Sequence, residues 1–199
     1  MKSMSTVISA PPPQEAAPPD DEQLVQLARR SPAQFAQLYD RHMTGVYRYL
    51  LTMVGNVKDA EDLTSQTFLE ALENLHRYRG NGDFRAWLFR IARNKSIDHY
   101  RKHKRDTAWA EDADYVDGGQ QSPETAAANA LAIAHVLRQL RTLSPDRAEV
   151  VSLRLFAGLE VSEIAQALRK PETAVRMLLH RGLRDLQTRI PTASRESAS

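Results

Sequence analysis

Apolar residues recur every three or four positions through two stretches of the chain, residues 20–105 and 129–190. This spacing places them on one face of an α-helix, and neither stretch requires the strict alternation of a β-strand. Helix-stop and helix-start signals such as Gly55-Asn56 and Ser144-Pro145 divide the periodic stretches. The pattern predicts an all-α fold with two small domains, an N-terminal helical bundle and a C-terminal helix-turn-helix domain.

These helix-start and helix-stop signals also predict where individual helices lie. In the first stretch, Ser31-Pro32 is typical of a helix start, a second long helix covers about residues 57–76, and a third follows Asp83, a favourable N-cap. In the second stretch, an apolar stripe precedes a helix that begins at Ser144-Pro145 and ends at Gly158. Two shorter helices are expected at about residues 160–168 and 171–189.

Three segments lack this periodicity. Residues 1–19 are rich in Pro and Ala and are expected to form a disordered tail, as are residues 191–199 at the other end. Residues 106–128 contain Gly118-Gly119 and Ser122-Pro123 and are expected to be a flexible acidic linker between the domains.

Composition excludes several classes of protein. The chain of 199 residues has no cysteine, which excludes disulfides and thiolate metal sites, and none of its 6 histidines lies in a HExxH-type pair. No apolar run approaches the roughly 20 residues needed to span a bilayer, and no secretory signal is recognisable. We expect no cofactor, no metal, no membrane insertion and a cytoplasmic location.

Charge is distributed unevenly although the net charge is only +2. Residues 77–105 hold ten Lys and Arg against two Asp, whereas residues 106–128 hold six acidic residues and no Lys or Arg. A basic block beside an acidic linker indicates a polyanionic partner for the block. A solvated helix end is the plainer explanation that this pattern leaves open.

The last predicted helix has two distinct faces. One arc is apolar: Val175, Leu178, Leu179, Leu183 and Leu186. The opposite arc is polar and cationic: Thr173, Arg176, Met177, His180, Arg181 and Arg184. A face rich in arginine suits insertion into the major groove of DNA, where arginine pairs with guanine edges or phosphates. The solvated face of an ordinary helical bundle remains an alternative.

The helix that begins at Phe84 mixes aromatic and cationic residues. Its predicted core face carries Phe84, Trp87, Leu88, Ile91 and Ala92. Its predicted outer face carries Ala86, Phe89, Arg90, Arg93, Ile97, Tyr100, Arg101 and Lys104. Flat rings for stacking and cations for phosphates are what unstacked single-stranded bases require. A second packing face against another helix would explain Phe89 and Ile97 equally well.

An acidic stripe marks the helix before it. Its members are Asp59, Asp62, Gln66, Glu70 and Glu73, with Leu69 at the edge. The opposite, inward arc holds Ala60, Leu63, Thr67, Ala71, Leu72 and Leu75. An acidic stripe repels nucleic acid, so a functional one should meet a basic protein surface. Solvation alone is the alternative.

Taken together, these segments resemble a known family. The pair DAEDLTSQTFLEAL and FRAWLFRIARNKSIDHYRK, preceded by FAQLYDRHMTGVYRYL, resembles the N-terminal domain of extracytoplasmic-function sigma factors of the sigma-70 superfamily. The segment from LSPDRAEV to RGLRDL resembles the promoter-binding C-terminal domain of the same group. The resemblance covers residues 20–105 and 129–189.

The resemblance implies a role for each surface. Core RNA polymerase, through the clamp helices of its largest subunit, would contact Asp59, Asp62, Gln66 and Glu70. The promoter −10 element would contact Arg77, Tyr78 and Asn81 in a loop that accepts a flipped base, and Arg90, Arg93, Asn94, Asp98, Tyr100 and Arg101 in the melting region. As an alternative to contacting DNA, Asp98 would orient nearby arginines. The −35 element would contact Thr173, Arg176, Met177, His180, Arg181 and Arg184.

The resemblance also implies partners beyond promoter DNA and core polymerase. An anti-sigma factor is expected, and the acidic linker would thread toward the active-site and RNA-exit channels of polymerase. The chain departs from the family pattern at Arg169, where many relatives have Gly, and at Met177 and Leu178, which replace a small polar residue and a cation. These departures argue against assigning a standard −35 sequence.

Two other functions stay open at this level. A stand-alone helix-turn-helix regulator would use residues 144–189 alone, and a protein-only adaptor would use the N-terminal bundle alone. Enzymatic activity is not expected, because no nucleophile–base set, phosphate loop or metal cluster is recognisable in the sequence.

Overall fold

The computed structural model describes residues 18–80, 83–106 and 134–189. Side chains are described to residue 102 in the second range and to residue 188 in the third. Every regular element in these ranges is helical, which confirms the all-α prediction. Outside the described residues lie the predicted tails and linker, except for a few residues at their edges. Asn81 of the predicted −10 loop also lies outside them.

Four α-helices build the N-terminal unit. They are α1 (Asp21–Arg30), α2 (Phe35–Val54), α3 (Val57–Asn74) and α4 (Phe84–Asp106). Short 3₁₀ helices precede α2 (Pro32–Gln34) and follow α3 (Leu75–Arg77).

The C-terminal unit contains four more helical segments among the described residues. They are α5 (134–141), α6 (Pro145–Phe156), α7 (Val161–Leu168) and α8 (Glu172–Arg189). The predicted bounds of α6, α7 and α8 agree with these to within about two residues.

Local hydrogen bonds explain most of these boundaries. Asp20 forms a reciprocal capping box with Gln23 at the start of α1, and Asn56 caps α3 by accepting from the backbone N–H of Asp59 at 3.0 Å. Gly55 ends α2 in the left-handed conformation. Ser31 and Ser144 lie at the N-cap positions of their helices, as the sequence predicts. Neither side chain makes a capping hydrogen bond, and the backbone oxygen of each closes the first turn instead.

Helix α2 lies at the centre of the N-terminal core. It packs against α1, α3 and α4, and Leu38, Val46, Tyr49 and Leu50 are fully buried along it. The aromatic start of α4 joins this core, where Phe84 lies between His42 of α2 and Trp87.

In the C-terminal unit, α6 packs against both α7 and α8. The contact with α8 is close at Gly182, where a Cβ would lie only 2.7 Å from Cγ2 of the fully buried Val151. Glycine weakens a helix by about 1 kcal/mol relative to alanine. Here the close approach of two helices explains its presence.

The two units pack against each other in this structure. Helix α2 contacts α6, and α4 contacts α7, so that a single cluster of buried apolar residues includes Leu38 and Tyr49 from one unit and Leu153 and Ile164 from the other. The sequence indicated two domains on a tether and gave no sign of this contact.

The structure decides one open alternative and contradicts two predicted orientations. Phe89 belongs to a second packing face of α4, because it is buried with its ring edge-on against Tyr49 at a centroid distance of 5.6 Å. Leu183 was expected inside, yet it is exposed because its neighbour Gly182 makes the close approach to α6. Leu72 lies at the rim of the inward arc of α3 and is also exposed.

Among the described residues, no helix is both long enough and apolar enough to cross a membrane.

The Gly182 contact yields a stability prediction. Gly182→Ala should destabilise the fold by about 1–2 kcal/mol, since overpacking against the stiff Val151 outweighs the helix propensity gained. Chemical denaturation measures this, with the exposed Gln187→Ala on the same helix as control. The double variant Gly182→Ala/Val151→Ala should lose less than the sum of the single losses. Stabilisation by Gly182→Ala alone would contradict the packing argument.

The contact between α1 and α2 predicts a pH dependence. Burial alone would raise the pKa of the Asp21 carboxyl, but His42 Nε2 at 2.8 Å and Arg41 Nη1 at 2.8 Å outweigh it and hold this pKa below its usual value of 3.8. A carboxyl group whose pKa is lowered by folding stabilises the fold at pH values above 3.8. This stabilisation is lost as the pH falls through the pKa of the folded state.

Asp21→Asn should therefore cost about 1 kcal/mol near neutral pH, and this cost should shrink as the pH falls below the usual aspartate range. Urea denaturation of both proteins across the acidic range measures the difference. A cost that stays constant down to the lowest pH would show that ionisation of Asp21 plays no part.

Candidate functional site

The acidic stripe of α3 (Asp59, Asp62, Gln66, Glu70 and Glu73) is divided in two by its contacts. Asp62, Gln66 and Glu73 are exposed, and Leu69 beside them is 58% exposed. Asp59 and Glu70 instead reach α4, where His99 Nε2 lies 3.3 Å from Asp59 and Lys95 Nζ lies 2.6 Å from Glu70. The outer part can meet another protein, while the inner part fixes α3 against α4.

The outer face of α4 carries most of the residues predicted for single-stranded DNA. Arg90, Asn94, Asp98 and Arg101 are exposed, and Tyr100 is 66% exposed. Arg101 Nη1 lies 3.7 Å from an Asp98 carboxylate oxygen, so Asp98 lies where it can orient this arginine. An exposed pair of this kind adds little stability, which leaves the arginine available to a phosphate.

A groove of about 850 Å³ runs between this face of α4 and the start of α6. On the α4 side its walls combine the apolar Ile97 with the ring of Tyr100 and with Arg101, and on the α6 side they include Pro145 and the carboxylates of Asp146 and Glu149. Rings and apolar groups that alternate with cations offer surfaces for bases and charges for phosphates.

Arg93 of α4 is engaged by the C-terminal unit. Its Nε donates to Oε1 of Glu149 on α6 at 2.7 Å, and the Glu149 side chain is only 12% exposed. The buried Tyr49 hydroxyl donates to the same oxygen at 3.4 Å. Burial, together with the Glu149 charge, raises the pKa of Tyr49 well above its ordinary value, so the phenol stays protonated as a donor.

Two residues before α4 that were predicted to contact DNA differ in exposure. Arg77 is exposed, whereas Tyr78 is buried, with its ring against Phe84 and Trp87. Burial and the nearby carboxylates of Glu22 and Asp83 raise the pKa of Tyr78 to about 12. The Arg29 guanidinium donates to the backbone oxygen of Tyr78, so this residue supports the loop from within.

Asp83 starts α4 and also faces the C-terminal unit. Its carboxylate accepts from the backbone N–H of Arg85 at 2.7 Å and pairs with the Arg85 guanidinium. Burial opposes ionisation of Asp83, but Arg85 prevails and lowers the pKa of this carboxyl. Glu163 of α7 has a raised pKa, because burial and the neighbouring Asp83 charge both disfavour its ionised form.

The C-terminal face predicted for duplex DNA lies entirely on the surface. All six residues of this recognition face of α8 are exposed: Thr173, Arg176, Met177, His180, Arg181 and Arg184. Arg176 Nη2 lies 2.7 Å from Glu172 one turn earlier, an exposed pair that a phosphate can displace. Val175 is fully buried on the opposite side and anchors the helix to its unit.

The turn between α7 and α8 explains one departure from the family pattern. Arg169 ends α7 in the left-handed conformation, with φ 53° and ψ 42°. Side chains other than glycine adopt this region at a cost of about 1–2 kcal/mol, which is why glycine is favoured there. The turn keeps its shape despite the substitution.

Sequence reasoning missed the residues that join the two units, above all Glu149 and Tyr49. A signal was present: Glu149 lies between the buried Ala148 and Val150 in an otherwise apolar segment. Its partner Arg93 could not be identified, because 56 residues separate them along the chain. Among the described residues, no group of acidic or histidine side chains is placed to hold a metal ion.

Two parts of the chain match models of known protein families. Residues 38–106 match the model of Sigma-70 region 2, and residues 134–186 match the model of Sigma-70, region 4. Together these matches include α4, most of α2 and α8, and the whole of α3, α5, α6 and α7.

Curated relatives are similar over most of the chain. The ECF RNA polymerase sigma factor BldN of Streptomyces coelicolor is 38% identical over 177 residues, covering 87% of this chain and 67% of that protein. The ECF RNA polymerase sigma factor SigM of Bacillus subtilis is 30% identical over 154 residues, covering 76% of this chain and 91% of that protein.

A solved structure shares the fold. The structure of CnrH in complex with the cytosolic domain of CnrY superposes with a TM-score of 0.64 at 26% sequence identity. The match covers 84% of this chain and 95% of that one.

Proposed function

The chain belongs to the extracytoplasmic-function group of the sigma-70 family, and from this premise we propose how its surfaces share the work of transcription initiation. As a sigma factor it directs core RNA polymerase to promoters, and polymerase and promoter DNA are its partners. We assign polymerase binding and −10 recognition to residues 20–105 and −35 recognition to residues 129–190, with residues 106–128 as the linker.

The outer part of the acidic stripe binds core polymerase. Asp62 and Gln66 are exposed on α3, and the exposed Leu69 adds an apolar contact at their edge. Charged groups around an apolar centre are typical of specific protein interfaces. Asp59 and Glu70 contribute mainly through α4, because each is already paired with a residue of that helix.

The outer face of α4 holds the opened −10 strand. Tyr100 offers a ring for stacking, and Arg90 and Arg101 offer cations for phosphates. Captured bases offset the free energy needed to unpair a few base pairs, so the binding energy of this face favours the melted promoter. Tyr78 acts here by holding the loop that contains Arg77.

The recognition face of α8 binds the −35 element as a duplex. Its exposed arginines suit phosphates and guanine edges, and Met177, 53% exposed, adds an apolar contact in place of the usual polar one. A promoter read by this helix should differ from that of relatives that have a small polar residue at this position.

The observation that carries this proposal is the placement of α3 and α4. They form one packed pair whose outer surfaces have opposite chemistry, exposed acids on one helix and exposed cations with a ring on the other. A stand-alone helix-turn-helix regulator would use neither surface. A protein-only adaptor would have no use for the recognition face of α8.

Three further features belong to this proposal. The chain catalyses no reaction itself, because polymerase forms the phosphodiester bonds. It acts in the cytoplasm, where polymerase and the chromosome lie. An anti-sigma factor restrains it; CnrH, whose fold it shares, is known in complex with the cytosolic domain of CnrY.

Run-off transcription tests the function directly. Purified core polymerase with this chain should produce new, discrete start sites from a genomic DNA library. Arg176→Ala/Arg184→Ala should reduce these transcripts at least tenfold, since each arginine contact to DNA contributes on the order of 1–3 kcal/mol. Unchanged transcripts would contradict the assignment of α8, and the absence of any new start site would contradict the proposed function.

Charge reversal tests the polymerase surface. Asp62→Lys/Gln66→Lys should weaken association with core polymerase by roughly tenfold or more, because like charges then face each other across the interface. Glu61→Lys/Ser65→Lys is the matched control, because both residues are exposed on the same helix outside the stripe and the pair makes the same change in net charge. Fluorescence anisotropy with labelled chain measures the affinity. Equal affinity for both variants would place the interface elsewhere.

A further inference from the structure

Glu149 of α6 contacts the outer face of α4 (the −10 face), which the proposed function assigns to the opened −10 strand. Its carboxylate accepts a charge-assisted hydrogen bond from Arg93 at 2.7 Å and one from the Tyr49 hydroxyl at 3.4 Å. Carboxylate and phosphate oxygens accept from a guanidinium in the same way. Glu149 therefore provides Arg93 with the type of contact that a DNA phosphate would provide.

The surrounding contacts hold α6 and α7 close to this place. A Cβ at Gly45 of α2 would lie 2.5 Å from the backbone oxygen of Phe156, so only glycine allows the end of α6 to lie this near. Arg85 Nη1 donates to the backbone oxygen of Gly158 at 3.5 Å. A cavity of about 250 Å³ lies between α4 and α7, with Arg90 and Gln166 among its lining residues.

The other two surfaces are not covered by this packing. Asp62 and Gln66 on α3 are exposed, and so is every residue of the recognition face of α8. A partner can therefore reach the polymerase-binding stripe while Arg93 is still engaged by Glu149.

We propose that Glu149 is an internal substitute for a DNA phosphate, which occupies Arg93 in the unbound chain and masks part of the −10 face. Polymerase binds the exposed stripe first, and separation of the two units then releases Arg93 for the opened strand. This inference rests on the proposed function, because it takes Arg93 as a DNA-binding residue.

The variant Glu149→Gln tests the masking with little change in shape. The amide still accepts from the Tyr49 hydroxyl, but it has lost the charge that holds Arg93. The free full-length variant should bind a fluorescent random-sequence single-stranded DNA pool, about 12 nucleotides long, roughly tenfold more tightly than the original chain. Fluorescence anisotropy at one fixed salt concentration measures both affinities.

Asp40→Asn is the control for charge alone, because Asp40 is an exposed acid of α2. It makes the same change in net charge and should leave the affinity nearly unchanged. In the double variant Glu149→Gln/Arg93→Gln the gain should largely disappear. Equal gains in Glu149→Gln and Asp40→Asn, or a gain that persists without Arg93, would overturn the proposal.

A distance measurement tests the closed arrangement without DNA. The chain has no cysteine, so Ser65→Cys/Gln187→Cys places spin labels only at two exposed sites, one on α3 and one on α8. Electron paramagnetic resonance should give a narrow distance distribution for the labelled free chain and a longer or broader one when core polymerase is added, because polymerase binding separates the units in the proposed mechanism. An unchanged distribution would overturn the proposal.

These readouts are separate from the test of function. Run-off transcription by the original chain does not depend on how tightly the free protein is closed. New start sites together with an unchanged Glu149→Gln variant would reject the masking alone. A distance change without start sites would reject the proposed function instead.

Discussion

The burial of α2 is the constraint on which the rest of the structure depends. Leu38, Val46 and Leu50 are fully buried, and α1, α3, α4 and α6 all pack around this one helix. Each large apolar side chain removed from water contributes about 1.5–3 kcal/mol, whereas an exposed ion pair contributes about 0–1 kcal/mol. The apolar residues therefore determine where the helices lie, and the charged residues are left on the outer surfaces.

The outer charges of α3 and α4 have two roles because the helices are neighbours. The pairs Asp59–His99 and Glu70–Lys95 join the two helices, while Asp62 and Gln66 on one side and Arg90 and Arg101 on the other remain exposed. The internal pairs fix the relative position of an acidic and a cationic surface. A protein partner and a nucleic-acid partner can thus bind side by side on a rigid pair of helices.

The hydrogen bond between Glu149 and Arg93 is one part of the contact between the units, which also buries apolar residues such as Leu153 and Ile164. A hydrogen bond to a charged group contributes on the order of 1.5–3 kcal/mol, within the range of typical coupling free energies between sites. Glu149 can then hold Arg93 in the free chain and yield it when polymerase and DNA offer more contacts.

Sequence periodicity alone determined the helical class and the bounds of α6, α7 and α8, because helix signals are local and lie within a few residues of each other. It also identified the exposed recognition face of α8, whose six residues follow from the 100° step, although Leu183 of the predicted inner arc is exposed. Only the tertiary structure decided that Phe89 is buried, that Gly182 serves a close contact and that Glu149 engages Arg93. Each of these contacts involves a helix that is distant in sequence. The pattern of residues along one helix does not indicate which other helix will pack against it.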